Sequence, residues 1–349
     1  MSQRGPRLLV AVGEPSGDAL AGAVVAELRR RGPLQACGVV GPRLRDAGVQ
    51  PLATIDGLSA VGLVDGLRAA GRALRVVAQL DRHARAHPPD LLLTVDAPSF
   101  TLRLARRLKS RGVPVLHIGA PQVWAWRPDR RRHLGDAVSE LLCLLPFEPD
   151  WFVGHLPATY VGHPAADLPV LDPAPAFTVA LLPGSRPAEV RRLWPVLRQT
   201  ARAVAHLRPD AQFVTLRAPG VPPLTGLAVR EVPTMEALGS AHVAVVASGT
   251  ATLQLAAMGV PMVMVYRTDP LTWAVAKRVV HTPYVALPNV IAGKAVVPER
   301  LQHLDPRRLA HLALEEAAKP RLPLRLDARG AVSRMADAAQ QWLRAAHSG

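Results

Sequence analysis

Short apolar runs without polar alternation recur along this chain, each closed by glycine or a polar turn and followed by a helical segment. In the first half these runs are Arg7–Gly13, Ala36–Gly41, Leu91–Val95, Val113–Ile118 and Leu141–Leu145, with helical stretches at about Asp18–Arg31 and Leu102–Arg111. A strand that shows no polar side is buried on both faces, which requires a parallel sheet covered by helices on both sides. Proline becomes dense at Leu168–Ala176, a linker signature. The rhythm then restarts with apolar runs at Thr178–Leu182, Gln212–Leu216, Val243–Val246 and Pro261–Tyr266, and helices at about Ala188–Leu207 and Thr250–Ala257. The tail, about Pro306 to His347, reads as helical. The pattern predicts an α/β chain with two Rossmann-like, doubly wound parallel-sheet domains facing across a cleft. Their expected extents are 1–168 and 169–324, with helices at about 325–349 available to pack back on the first. A chain of 349 residues suits two such cores better than one.

The formal charge of +15 admits nucleic acid, an anionic membrane or an acidic substrate as partner. Apart from Lys109, Lys277, Lys294 and Lys319 every cationic Lys or Arg position is arginine, which fits a biased coding composition. No basic run is interleaved with aromatics, so no nucleic-acid partner is expected. Arg68, Arg72, Arg75 and Arg82 fall on one face of a predicted helix from Leu67 to Arg82, and Arg130-Arg131-Arg132 follows later. Both read as solvated faces, with an anionic bilayer as the sharper alternative. The stretch Ala241–Tyr266 is apolar enough to raise the question of a membrane span. It carries His242, Ser248, Thr250, Thr252 and Gln254 and is interrupted at Gly259–Pro261, so a buried strand–helix–strand is expected instead. No secretory signal is legible in Met1–Arg7. Cys37 and Cys143 are expected to be buried free thiols, and no CxxC or HExxH spacing offers a metal site.

Ligands of doubly wound sheets bind at the carboxyl ends of strands, and the chain's distinctive motifs fall there. Gly13-Glu14-Pro15-Ser16-Gly17-Asp18 closes the first run. Ser16 or Asp18 can cap a helix, while Glu14 would repel a phosphate and better suits a sugar hydroxyl. Asp96, directly after a buried strand, reads as a desolvated general base or as a cap for the helix after Pro98. Trp124 and Trp126, two apart before Arg127, read as a wall for a sugar or acyl chain, or as packing under a loop. Gly184-Ser185-Arg186 offers backbone N–H groups and a bidentate cation to an anion at a helix start. Ser248-Gly249-Thr250 offers the same kind of loop four residues before Gln254, and together the two loops describe a nucleotide-diphosphate site. Asn289, between two prolines and a glycine, reads as an exposed residue of an ordered loop that is either a lid or a crossover.

In this order the motifs GEPSGD, VVGPRLRDAG, LSAVGLVDGL, VDAPSF, PQVWAWR, LPFEP, YVGHPAAD, LLPGSRPAEVRRLWPVL, ASGTATLQLA, GVPMVMVYR and PYVALPNVIAGKAVVPERLQ resemble the lipid-A-disaccharide synthases from Leu8 to about Gln302. The resemblance implies an inverting GT-B glycosyltransferase. It would join UDP-2,3-diacylglucosamine to 2,3-diacylglucosamine 1-phosphate in a β-1,6 linkage and release UDP. It implies Asp96 as the essential carboxylate, with Glu14 in reserve. It implies a donor site of Gly184, Ser185, Arg186, Ser248, Gly249, Thr250, Gln254 and Asn289. Gly13, Ser16, Asp18, Trp124, Trp126 and Arg127 would lie on the acceptor side. It further implies a UDP-sugar, a lipid-linked acceptor and the inner face of the cytoplasmic membrane as partners, with no cofactor or metal; a homo-oligomer is compatible with it. The sequence departs from the family pattern at Pro15, where a small residue or Thr is usual, at Ser99, where a second Asp is usual, and at Gln254, where Glu is usual. A related glycosyltransferase with another acceptor, a UDP-sugar epimerase, or a non-catalytic nucleotide-sugar binder are the rival readings.

Overall fold

The structure is a computed structural model and describes residues 5–58, 63–121, 132–218, 220–279, 282–326 and 328–348. The chain divides into two compact units, residues 1–163 with 328–349, and residues 164–327.

In the first unit β1 (Arg7–Val12), β2 (Gln35–Val40), β3 (Gln50–Thr54), β4 (Leu91–Val95), β5 (Val115–Ile118), β6 (Glu140–Cys143) and β7 (Ala158–Tyr160) form one sheet. Its strand order is β3-β2-β1-β4-β5-β6-β7 and every pairing is parallel. All five residues of β4, Leu-Leu-Leu-Thr-Val, are buried, as the unalternating run requires. The covering helices are α1 (Pro15–Arg31), α2 (Pro42–Asp46), α3 (Leu63–Ala86), α4 (Pro98–Lys109) and the short α5 (Arg132–Gly135). GPRLRDAG is thus a one-turn helix rather than a plain turn: Pro42 supplies the helical φ at its first position. Arg72, Arg75 and Arg82 are exposed on α3, and Arg68 falls where side chains are not described. Cys143 is buried and Cys37 is only half-buried; both are free.

The second unit repeats the theme. Here β8 (Thr178–Leu182), β9 (Gln212–Thr215), β10 (Arg230–Glu231), β11 (Val243–Ala247), β12 (Met262–Tyr266) and β13 (Glu299–Leu301) form a parallel sheet in the order β10-β9-β8-β11-β12-β13. It is covered by α6 (Pro187–Leu207), α7 (Thr250–Ala257), α8 (Pro270–Val279), α9 (Leu287–Ala292) and α10 (Pro306–Ala317). The apolar stretch once open to a membrane reading is β11, α7 and β12, and no described helix is long and apolar enough to cross a membrane.

The units part at His163/Pro164, a few residues before the proline-dense stretch. Leu168 packs on the core of the second unit and the Ala174 N–H donates to Ser240 O at 2.9 Å, so those prolines stiffen a strap on that unit. The tail is two helices rather than one. Pro320, Pro323 and Gly330 lie between α10 and α11 (Ala331–Ser348), and proline cannot continue a helix. α11 belongs to the first unit: Ala331, Met335, Ala336, Ala339 and Leu343 enter the core formed by β1, β4 and α1. Arg31 of α1 donates to Ser333 Oγ at 2.8 Å, and Trp342 Nε1 donates to Glu140 Oε2 at 2.8 Å. Met335 has no exposed surface. Met335→Ala is therefore expected to destabilise the first unit by about 2–4 kcal/mol, read as a lowered urea midpoint. An unchanged midpoint would mean that α11 does not complete this core.

Candidate functional site

Strand order fixes where each sheet opens. In the first unit the connection from β1 leads to β2 on one side, while β4 leads to β5 on the other. The switch point lies between the carboxyl ends of β1 and β4, where such folds bind ligands. The loops leaving those two ends carry Gly13-Glu14 and Asp96-Ala97. They are close enough that a Cβ at Gly13 would lie 2.5 Å from Ala97 Cβ.

Asp96 and Ala97 both adopt left-handed backbone, with φ of 46° and 45°. Such a conformation is costly for residues with a Cβ and persists only where neighbours over-determine it. Here the Asp96 N–H donates to Ile118 O at 3.2 Å. The buried Thr101 hydroxyl donates to Asp96 O at 2.8 Å, and Ala97 O receives the Phe100 and Thr101 N–H groups at 2.9 and 3.0 Å. The carboxylate itself lies over Gly119, the residue after β5, which has φ of 89°; a Cβ there would be 2.7 Å from Asp96 Oδ1. Gly119 thus satisfies both a left-handed turn and a close approach that any side chain would block. Burial first, and the negative charge of Glu14 second, push the Asp96 carboxyl up to about 6. Two pairs of residues deeper, the fully buried His117 has Nδ1 2.7 Å from Thr94 Oγ1, and burial lowers its imidazole to about 4. His117 is neutral at physiological pH and adds no positive charge beneath Asp96.

The rest of the GEPSGD loop divides. Glu14 is the N-cap residue of α1 and is half-buried; Ser16 is exposed. Pro15 opens the helix at a position whose N–H has no intrahelical partner, so that departure from the family pattern is compatible with the fold. Asp18 is not at the mouth of the site and does not cap its own helix. It is 1% exposed, and its carboxylate accepts the N–H groups of Gly41, Arg43 and Leu44 at 2.7, 2.8 and 3.2 Å. It holds the N-terminus of α2, which leaves the carboxylate no surface for a sugar. Trp124, Trp126 and Arg127 lie outside the described residues, and the Ser99 side chain is likewise outside them.

The second unit has its own switch point, between β8 and β11. The loops there are Pro183-Gly184-Ser185-Arg186, leading into α6, and Ser248-Gly249, leading into α7. Ser185, Gly249 and Thr250 are exposed, Ser248 and Gln254 half-buried. The Gly249 carbonyl accepts both the N–H and the hydroxyl of Thr252, at 3.1 and 2.7 Å, which closes the first turn of α7. Arg186 is the N-cap residue of α6. Its side chain pairs with Glu189 Oε1 at 3.2 Å, and its N–H donates to Glu189 Oε2 at 3.3 Å. The expected open row of amides is thus partly filled from within, by a carboxylate that the capping-box spacing could have signalled.

Asn289 is not exposed. It is completely buried in α9 and its amide is saturated. Its Nδ2 donates to Val297 O and Glu299 Oε1, both at 2.8 Å, and its Oδ1 accepts the Val296 and Val297 N–H groups at 2.7 and 2.8 Å. Glu299 also accepts the Val285 and Ala286 N–H groups. Asn289 and Glu299 fix the loop carrying Tyr284–Leu287; they do not reach outward to a donor. Among the described residues no group of three or more His, Cys, Asp or Glu side chains is placed to hold a metal ion.

Fold and switch points together define the class: two doubly wound parallel-sheet units of the GT-B architecture, a fold that glycosyltransferases share with UDP-sugar epimerases. The M. jannaschii UDP-GlcNAc 2-epimerase, solved with UDP-GlcNAc and UDP, superposes with a TM-score of 0.65 at 11% identity, over 96% of this chain and 99% of that one. The glycotransferase of kitacinnamycin gives 0.61 at 18%, over 99% and 96%, and Acinetobacter baumannii MurG gives 0.54 at 16%, over 96% and 99%. These likenesses carry the fold. The sequence carries the family: residues 8–320 match the family model described as lipid-A-disaccharide synthetase. The chain is 40% identical over 342 residues to the lipid-A-disaccharide synthase of Anaeromyxobacter sp. (strain K), covering 90% of this chain and 89% of that one. It is 35% identical over 338 residues to that of Methylobacillus flagellatus, covering 89% of each. The chain belongs to the lipid-A-disaccharide synthase family.

The raised Asp96 carboxyl has a consequence for stability. Its folded value, about 6, exceeds its ordinary 3.8, so the fold favours the protonated form. The associated stability is fully present below about pH 4 and is lost as pH rises through 6. Asp96→Asn cannot ionise. Relative to wild type it is expected to gain about 1–2 kcal/mol between pH 4 and pH 8, measured by denaturant titration at both pH values. A constant difference would contradict the burial of this carboxylate.

Proposed function

We propose that this protein transfers 2,3-diacylglucosamine from UDP to the 6-hydroxyl of 2,3-diacylglucosamine 1-phosphate, forming the β-1,6 disaccharide and releasing UDP. Family membership gives the reaction, and one observation of this chain carries its chemistry: a desolvated carboxylate in a constrained turn at the first unit's switch point. With its pKa raised to about 6, Asp96 is mostly ionised near neutral pH yet basic enough to accept a hydroxyl proton. The acceptor oxygen attacks the anomeric carbon from the face opposite UDP, the bond to the diphosphate breaks, and the proton passes to Asp96. Glu14 adds to the burial that raises that pKa and is the second carboxylate at this switch point.

The two switch points differ in charge, and that assigns their ligands. Glu14 and Asp96 together repel a diphosphate. Arg186 and the amide and hydroxyl groups of Gly184, Ser185, Ser248, Gly249 and Thr250 attract one and stabilise the charge on departing UDP, without calling on a metal ion. Gln254, one turn into α7, can hydrogen-bond a ribose hydroxyl without adding charge. The acyl chains of both substrates are apolar, so the protein works at the inner face of the cytoplasmic membrane, with the exposed arginines of α3 facing anionic lipid.

The test is to incubate the purified protein with UDP-2,3-diacylglucosamine, with and without the acceptor, and follow UDP release and lipid mass. Disaccharide formed only with both substrates is the expected result. A UDP-sugar converted without acceptor would favour an epimerase. Asp96→Asn is expected to lower kcat by about 10²- to 10⁴-fold while UDP still binds. The kcat/KM of wild type should rise with pH through an apparent pKa near 6; a profile flat from pH 5 to 8 would remove Asp96 from the role of base.

A further inference from the structure

The loop assigned to the diphosphate already holds an anion. Glu189, in the first turn of α6, folds back over the loop that precedes it. Its Oε2 accepts the Arg186 N–H at 3.3 Å, and its Oε1 pairs with Arg186 Nη1 at 3.2 Å. The same Oε2 lies so close to the loop that a Cβ at Gly184 would be 2.6 Å from it. Gly184 has φ of 109°, so the left-handed turn and the approach of this carboxylate both demand glycine. The Glu189 side chain is 21% exposed and that of Arg186 43%. A carboxylate so placed accepts from two of the donors that a phosphate would use, the N–H and the guanidinium of Arg186, and its charge opposes a second anion there.

We infer that Glu189 is an internal competitor of the nucleotide diphosphate. It occupies part of the Gly184–Arg186 cradle, and UDP binds by displacing it from Arg186. Glu189 thereby sets the affinity of the site for UDP: it preserves the loop's shape between turnovers and weakens the hold on the product. This inference rests on the assignment of the diphosphate to this loop. The alternative is that Glu189 is only a staple for α6, since a residue in this position accepting the N-cap N–H stabilises a helix start.

The variants Glu189→Gln and Glu189→Ala separate the two roles. Gln keeps the shape and the amide oxygen that accepts the Arg186 N–H, but not the charge; Ala removes both. UDP and uridine affinities are measured by calorimetry for the full chain and both variants, with thermal melting as a check on folding. Competition predicts UDP binding tighter by about fivefold in both variants, with uridine affinity unchanged. UDP affinity unchanged or weaker in a folded Glu189→Gln would overturn the inference. So would weaker UDP binding in Glu189→Ala alone, since that is the signature of a staple. The wild-type measurement bears on the functional reading separately: that reading requires UDP to bind, whereas the inference requires the variants to exceed wild type. If neither wild type nor variants bind UDP, both fall.

Discussion

The constraint on which the first unit's site depends is the placement of one carboxylate where water is scarce. Asp96 follows a central strand that is buried along its whole length and sits, half-buried, at that strand's carboxyl end. Two consecutive left-handed residues turn the chain there, and the turn is held by Thr101, by the Ile118 carbonyl and by the first amides of α4. A flexible turn would let the carboxylate rotate into water and recover its ordinary acidity. The strain and the raised pKa are therefore two aspects of one arrangement: the fold holds the group where its charge is least comfortable. Gly13 and Gly119 make this possible by omitting the side chains that would fill the same space.

The two units share a topology and use it oppositely. In each, the loops after the first strand and after the strand that reverses the winding frame a crevice. In the first unit those loops bring two carboxylates together; in the second they bring an arginine, hydroxyls and a helix start. The proposed function uses this contrast to assign substrates that the architecture alone would leave open, because a doubly wound sheet accepts either kind of ligand at its switch point. Glu189 qualifies the contrast, since the basic loop carries its own counter-ion.

Much of this was legible in the sequence because buried parallel strands have an unmistakable pattern. The inner strands, and the loops at their carboxyl ends, were found from unalternating apolar runs; β3, an edge strand with no buried residue, has no such run and was not. Less was legible where a residue's partner lies far along the chain. Asp18 reads as a local cap, but its bonds are to residues 23 to 26 positions away, at the start of α2. Asn289 reads as exposed because prolines and a glycine surround it, yet Val296, Val297 and Glu299 saturate it. Short edge elements such as β10 and β13 give no periodic signal at two or three residues. Thr101, His117 and Gly119, which surround Asp96, carry no motif of their own; their importance follows only from the turn they enclose. Glu189 did carry a local signal, its capping-box spacing from Arg186, but was not singled out from the sequence.

The account's central claim is that the fold desolvates Asp96, and the most direct measurement is the titration of its side-chain carboxyl carbon by ¹³C NMR, assigned by its absence in Asp96→Asn. The account predicts a midpoint near 6 that moves down when Glu14 is replaced by Gln, because the neighbouring charge is the smaller of the two causes. A midpoint near 4, indifferent to Glu14, would show an ordinary solvated carboxylate and contradict the account.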